Sequence, residues 1–238
     1  MFNILLFFRQ KIWRSHGLKI WLATITGTCI VLLNGCQSEI VNITNINSAT
    51  GEQIIVLGDS ITAGYGLPAQ QAYPFLLSQK INLPIVNRGV SGDTTADALA
   101  RLSRDVLTEK PWMVIIGLGG NDFLKKVPKT LTEQNLRAII SQIQTENAIT
   151  VLLGMNLGLF TDEYKDLYHN VAESTGSYLI PQVLKGIIDN PQHRQQDIIH
   201  PNAIGQEILA EKIARALKPV LEEATFPAVL SKKSGWNE

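Results

Sequence analysis

Ile54 to Gly64 reads IIVLGDSITAG. Four successive apolar residues stop at Gly58-Asp59-Ser60, and the chain then turns small and polar. A run that is apolar on consecutive positions suits a strand covered on both faces, as in a parallel sheet. A serine just past such a strand sits where open α/β sheets bind their ligands, beyond the carboxyl ends of the strands.

Working outward, similar Val- and Ile-rich runs recur at Pro84–Asn87, Trp112–Gly117, Ile149–Gly154 and Ser177–Ile180. Helical patterns lie between them. TADALARLSRDVL repeats Ala96, Leu99, Leu102 and Val106 at spacings of three and four, and NLRAIISQIQTE does so with Leu136, Ile139, Ile140 and Ile143. A last helix, Ala203 to Leu221, carries Ile204, Ile208, Leu209, Ile213, Leu217 and Val220 on one side. Strand and helix in alternation predict an α/β fold, a three-layer αβα sandwich around a parallel sheet of about five strands. In that fold Ser60 follows the first strand, SGDT (Ser91 to Thr94) the second and GGND (Gly119 to Asp122) the third. Three polar, glycine-bearing turns therefore gather at one edge of the sheet.

The chain has 238 residues, 45% hydrophobic and 18% charged, enough for one sizeable domain with a core. Four of its 21 basic residues and none of its 21 acidic ones fall within residues 1–36, so the remainder is net −4. A mildly acidic body argues against nucleic acid as a partner. The basic start is followed by IWLATITGTCIVLL, Ile20 to Leu33, fourteen residues without charge. That is short for a membrane span and the length of an export-signal core. It ends in LNGC, which resembles a lipobox and makes Cys36 the expected lipidated residue, although Asn34 is unusual there. The alternative is an uncleaved anchor helix starting near Ile20. With cleavage and lipidation, Cys29 leaves with the signal and Cys36 takes lipid, so neither of the two cysteines remains to form a disulfide. The expected organisation is a signal over 1–36, a polar tether over 37–52, one domain over 53–222 and a tail over 223–238. The expected product is an exported, membrane-anchored lipoprotein whose body is a monomer.

A serine hydroxyl needs a base to become a nucleophile, and the chain has four histidines. His16 lies in the leader, His169 in a helical pattern and His193 in a polar loop. His200 lies in DIIHPN, where Asp197 stands three residues earlier, within reach of the imidazole. Such a carboxylate fixes the tautomer and stabilises the imidazolium. Asn202 suits the N-cap of the closing helix. Acyl transfer also needs donors for an oxyanion; candidates are the backbone N–H of Ser60 and of Gly92 and the side chain of Asn121. The plainer reading of SGDT and GGND is that they are turns and helix caps. No metal-ligand cluster, nucleotide loop or G-x-S-x-G elbow accompanies them, so no metal and no cofactor are expected.

Four blocks in this order, GDS, SGD, GGND and DIIHPN, resemble the SGNH (GDSL-type) hydrolase superfamily, in its bacterial arylesterase, thioesterase and lysophospholipase branch. The strings VLGDSITAGYG, VSGDTTADALARL and GLGGNDFL carry the likeness, which covers about Gln53 to Leu221. It implies a flavodoxin-like sheet, Ser60 as nucleophile, His200 as base, Asp197 as its partner, and Ser60, Gly92 and Asn121 as the oxyanion hole. Asp59 and Asp122 match positions that look structural. The implied substrate is a small acyl ester, thioester or lysolipid. Leu157, Leu159 and Phe160 are expected either as an apolar lip or as loop packing, and Lys125 and Lys126 either as a phosphate contact or as a solvated pair. A carbohydrate O-acetyl esterase and a non-catalytic lipid- or glycan-binding module are the two competing readings.

Overall fold

The computed structural model describes residues 43–155 and 162–230. The leader, Cys36, the first part of the tether, the Leu157–Phe160 lip and residues 231–238 lie outside the described residues. Five strands form one sheet: β1 (Gln53–Gly58), β2 (Ile85–Gly89), β3 (Pro111–Gly117), β4 (Ile149–Leu153) and β5 (Tyr178–Ile180). All pairs are parallel, in the order β2-β1-β3-β4-β5. The central strands β1, β3 and β4 are buried along nearly their whole length, which their consecutive apolar residues require.

Helices cover both faces. α2 (Tyr73–Ile81) packs on α7 (Ala203–Glu223), while α3 (Thr95–Asp105), α5 (Lys129–Thr145) and α6 (Asp162–Thr175) form the other layer. Two short helices, α1 (Ser60–Ala63) and α4 (Gly120–Leu124), lie at strand ends. The expected helix faces hold for α5, whose Leu136, Ile139, Ile140 and Ile143 are fully buried. In α3 Leu102 and the C-cap Val106 are buried and Leu99 packs against the core as expected, but Ala96 is exposed, and Thr95, Ala98 and Arg101 join the inward face. Polar contacts made by Thr95 and Arg101 outweigh the burial of one methyl group. Strand β2 starts after Pro84 and runs on to Gly89, because proline has no N–H for the ladder and Gly89 pairs with Gly58.

The body is longer than the expected 53–222. Ile43 and Leu230 are buried, Asn45 Nδ2 donates to the carbonyls of Gln144 (3.0 Å) and Ala148 (3.1 Å), and Phe226 lies on Trp112 at 4.8 Å between ring centroids. Residues 43–52 and 224–230 thus close the amino edge of the sheet instead of forming free tether and tail. Apolar side chains at intervals in polar sequence are enough to seat them.

The carboxyl edge is organised by three glycines. Gly58 is in register with Gly89 on one side and Gly117 on the other. A Cβ at Gly58 would stand 2.0 Å from Thr62 Oγ1, and one at Gly89 would stand 2.3 Å from the Ala63 nitrogen. The row leaves a flat shelf on which α1 rests. Chain order reverses between β1 and its two neighbours, so the loops after β1, β2 and β3 meet around a topological switch point.

Candidate active site

Ser60 is the first residue of α1 and is 8% exposed. The turn is held from three sides. Asp59 caps α1, its Oδ1 accepting the Ile61 N–H at 3.0 Å. Gln206 of α7 donates through Nε2 to the Ile61 carbonyl (3.0 Å) and accepts the Tyr73 N–H (2.8 Å). The shelf of glycines supports it from below.

The loop ahead of α7 brings the imidazole to this turn. His200 Nε2 lies 2.8 Å from Ser60 Oγ, and His200 Nδ1 lies 2.6 Å from Asp197 Oδ2. With Nδ1–H donating to the carboxylate, Nε2 is left bare to accept the serine hydroxyl. Asp197 Oδ1 also accepts the backbone N–H of Ile199 (3.1 Å) and of His200 (3.0 Å). Burial pushes the Asp197 carboxyl up, but these hydrogen bonds outweigh it and hold the group below the usual carboxylate range. Asn202 caps α7 through Gly205 N–H at 3.0 Å.

Two residues that sequence reading passed over brace this arrangement. Gln195 joins the serine and histidine loops: its N–H donates to the His200 carbonyl (2.8 Å), and its Nε2 to the carbonyls of Tyr65 (2.7 Å) and Pro201 (3.2 Å). The Tyr65 ring then lies against His200 with centroids 4.6 Å apart. Arg101 is buried in α3. It bonds Asp93 Oδ2 (2.6 Å), Asp105 Oδ2 (3.2 Å) and the carbonyls of Gly58 (3.2 Å) and Arg88 (2.9 Å). It therefore locks the end of β1, the end of β2 and the SGDT loop together. The signal was present in TADALARL, where arginine occupies the inward face, but periodicity alone reads only apolar positions.

The candidate oxyanion donors share one framework. Gly92 has φ +87, a left-handed backbone that favours glycine, and nothing lies within 4 Å of where a Cβ would stand. Its role here is the backbone angle; close packing plays no part. Asn121 opens α4 after Gly120 and donates one Nδ2 hydrogen to the Asp93 carbonyl at 2.9 Å, leaving the other for a ligand. Lys125 is held against the site's framework: its Nζ donates one hydrogen to the Gly92 carbonyl at 2.8 Å, leaving two donors. Asp122 is fully buried and accepts Thr95 N–H (2.8 Å), Thr95 Oγ1 (2.5 Å) and Thr132 Oγ1 (3.3 Å), tying α3, α4 and α5.

The Asp59 carboxyl is 2% exposed and is pushed up to about 7 by burial. The Ile61 N–H and the nearby His200 pull against that shift, and Asp93 adds to it. His169 and His193 take no part: His169 is exposed on α6 beside Glu173, and His193 lies against the Gly186 carbonyl.

A five-stranded parallel sheet with serine, imidazole and carboxylate in one hydrogen-bonded line at its carboxyl edge, and without a G-x-S-x-G elbow, is the frame of an SGNH-type hydrolase. The chain belongs to the GDSL-like lipase/acylhydrolase family, whose model matches residues 56–208, and it is a hydrolase acting on ester bonds. It is 34% identical over 201 residues to the esterase TesA of Pseudomonas aeruginosa, covering 80% of this chain and 98% of that one. It is 33% identical over 181 residues to thioesterase 1/protease 1/lysophospholipase L1 of Escherichia coli, covering 73% and 87%. A crystal structure of TesA superposes with a TM-score of 0.67 at 33% identity, over 71% of this chain and 99% of that one.

Proposed function

We propose that the chain is a serine esterase acting on carboxylic esters and thioesters of small acyl or lysolipid substrates through Ser60, His200 and Asp197. Ser60 Oγ attacks the carbonyl carbon as its proton passes to His200 Nε2. Asp197 holds the imidazolium that forms. The negative oxygen of the tetrahedral intermediate is met by the Ser60 and Gly92 N–H groups and the free Nδ2 hydrogen of Asn121. The intermediate collapses, His200 returns the proton to the leaving alcohol or thiol, and the acyl group stays on Ser60. Water then attacks the acyl-enzyme with His200 again as base, releasing acid and restoring the hydroxyl. These steps call on no cofactor.

The observation that carries this reading is the continuous Asp197–His200–Ser60 hydrogen-bond relay, 2.6 and 2.8 Å long. Labelling by a fluorophosphonate and hydrolysis of p-nitrophenyl esters from acetate to palmitate test it. Ser60→Ala abolishes both, and His200→Ala lowers kcat by about 10,000-fold or more. Retention of near-native turnover by either variant overturns the assignment. The ester panel also separates a long-acyl preference from a short-acyl one.

The same proposal includes export and lipidation at Cys36. No helix among the described residues is long and apolar enough to cross a membrane. Intact mass of the mature chain checks this: cleavage before Cys36 with added acyl mass supports it, and an unprocessed N-terminus refutes it.

A further inference from the structure

Large apolar side chains exposed to water are normal when scattered singly, and carry meaning when they collect. Eight are exposed among the described residues. Tyr65, Val90, Leu124 and Ile198 belong to the loops that carry Ser60, Gly92, Asn121 and His200, and each is at least 42% exposed. Phe75, Leu131 and Ile204 fall in the first turns of α2, α5 and α7. These helices follow strands and begin at the carboxyl edge. Seven of the eight therefore share the sheet edge into which the reactive hydroxyl opens, and only Val229 lies elsewhere.

Ile198 adds an independent observation. It sits at φ +67 and is 51% exposed. A β-branched residue in left-handed backbone is a conformational outlier, and glycine or asparagine would occupy the position without that strain. The side chain gains no burial in return. A residue unfavourable both to the backbone and to hydration has its use outside the isolated fold.

We infer that this edge is a docking surface for a phospholipid bilayer, with the exposed apolar side chains entering the interface so that the mouth of the site faces the lipid. This rests on the esterase reading above and adds the way substrate is presented. Three features select lipid as the occupant. The apolar residues come from the segments after β1, β2 and β3 and from the loop before α7, on several sides of Ser60, and a rigid protein seated across them would cover the hydroxyl. Lys126 and Lys129, beside Leu124 and Leu131, make no ion pair among the described residues, so they are available to an anionic head-group layer. The sequence of residues 1–36 reads as a segment that brings the chain to a membrane.

The test compares the full chain with its Val90→Ser/Leu124→Gln/Ile198→Asn variant on phosphatidylcholine vesicles with and without phosphatidylglycerol. Backbone hydrogen exchange of the wild type is expected to slow at residues 90–93, 124–126 and 197–199 on adding vesicles, more so with the anionic lipid, and the variant loses this protection. The variant hydrolyses soluble p-nitrophenyl acetate as the wild type does, but a long-chain ester embedded in vesicles about tenfold more slowly, through loss of effective concentration at the surface. No vesicle-dependent protection at these segments, or equal rates for the two chains on embedded ester, overturns the proposal. Equal loss on both esters by a folded variant overturns it too, since the residues would then act in the chemistry. Protection that grows with protein concentration alone overturns it in favour of a second copy. Failure of the esterase reading shows separately, as acetate hydrolysis surviving Ser60→Ala.

Discussion

Asp59 shows how a single buried group can couple the nucleophile's turn to pH. The unfolded carboxyl ionises near 3.8, but in the fold burial delays this to about 7. Between those values the native state holds a proton that the unfolded chain has released. Stability therefore falls as pH rises through this window, by about 4 kcal/mol at most. Asp197 has the opposite sign: its folded carboxyl is held low, so its contribution is present at neutral pH and is lost as pH falls through the acid range. Asp59→Asn keeps a good N-cap while removing the charge. Thermal melts are expected to show the variant more stable than wild type at about pH 8 and no better near pH 4. A constant difference between the two would refute the buried-charge account. Arg101 is the second residue whose worth can be measured directly. Arg101→Met strands Asp93 in a dry site, at a cost of about 3 kcal/mol by chemical denaturation. It also frees the loop bearing Gly92, so kcat is expected to fall about 100-fold with KM little changed. A KM effect alone would show that Arg101 positions nothing used in the transition state.

At the scale of elements, the glycine row sets where α1 can lie. At Gly89 an added methyl meets the Ala63 backbone nitrogen, which cannot rotate aside as a side chain can. Gly89→Ala is expected to lift α1, lowering stability by about 1–3 kcal/mol and cutting turnover well beyond the fraction of protein unfolded. Residual activity matched to the folded fraction would show that the helix accommodates the methyl. This shelf was not legible in sequence: each glycine reads alone as a turn signal, and only the strand register brings the three abreast. The polar part of the inner face of α3 escaped for a related reason, although Leu99, Leu102 and Val106 lie on the core as expected. Periodicity weighs apolar residues, whereas Arg101 and Thr95 face inward because Asp93 and Asp122 await them there. Strands were legible because consecutive Val and Ile leave few other structures open to them, and α5 was legible because its apolar stripe is unbroken.

For the whole molecule, the α/β class, the parallel sheet and the gathering of polar turns at one edge followed from alternating patterns, whereas the strand order β2-β1-β3-β4-β5 is seen only in the structure. The site residues were legible as separate blocks. Their meeting was legible only through the rule that such turns share an edge. What escaped was everything held by polar side chains over long separations: Gln195 spanning two loops, Lys125 on the Gly92 carbonyl, and the polar segments of residues 43–52 and 224–230 that seal the far edge. No local pattern announces a partner 33 or 130 residues away.

The serine and its base are separated by 140 residues, and the base arrives on the loop before the final helix. A chain made from its N-terminus exposes Ser60 long before His200 exists. On the proposed mechanism, the hydroxyl is an ordinary alcohol until the last helix docks. Acylating power would thus be withheld from the nascent polymer and arise only where folding is completed, a safeguard set by the order of synthesis.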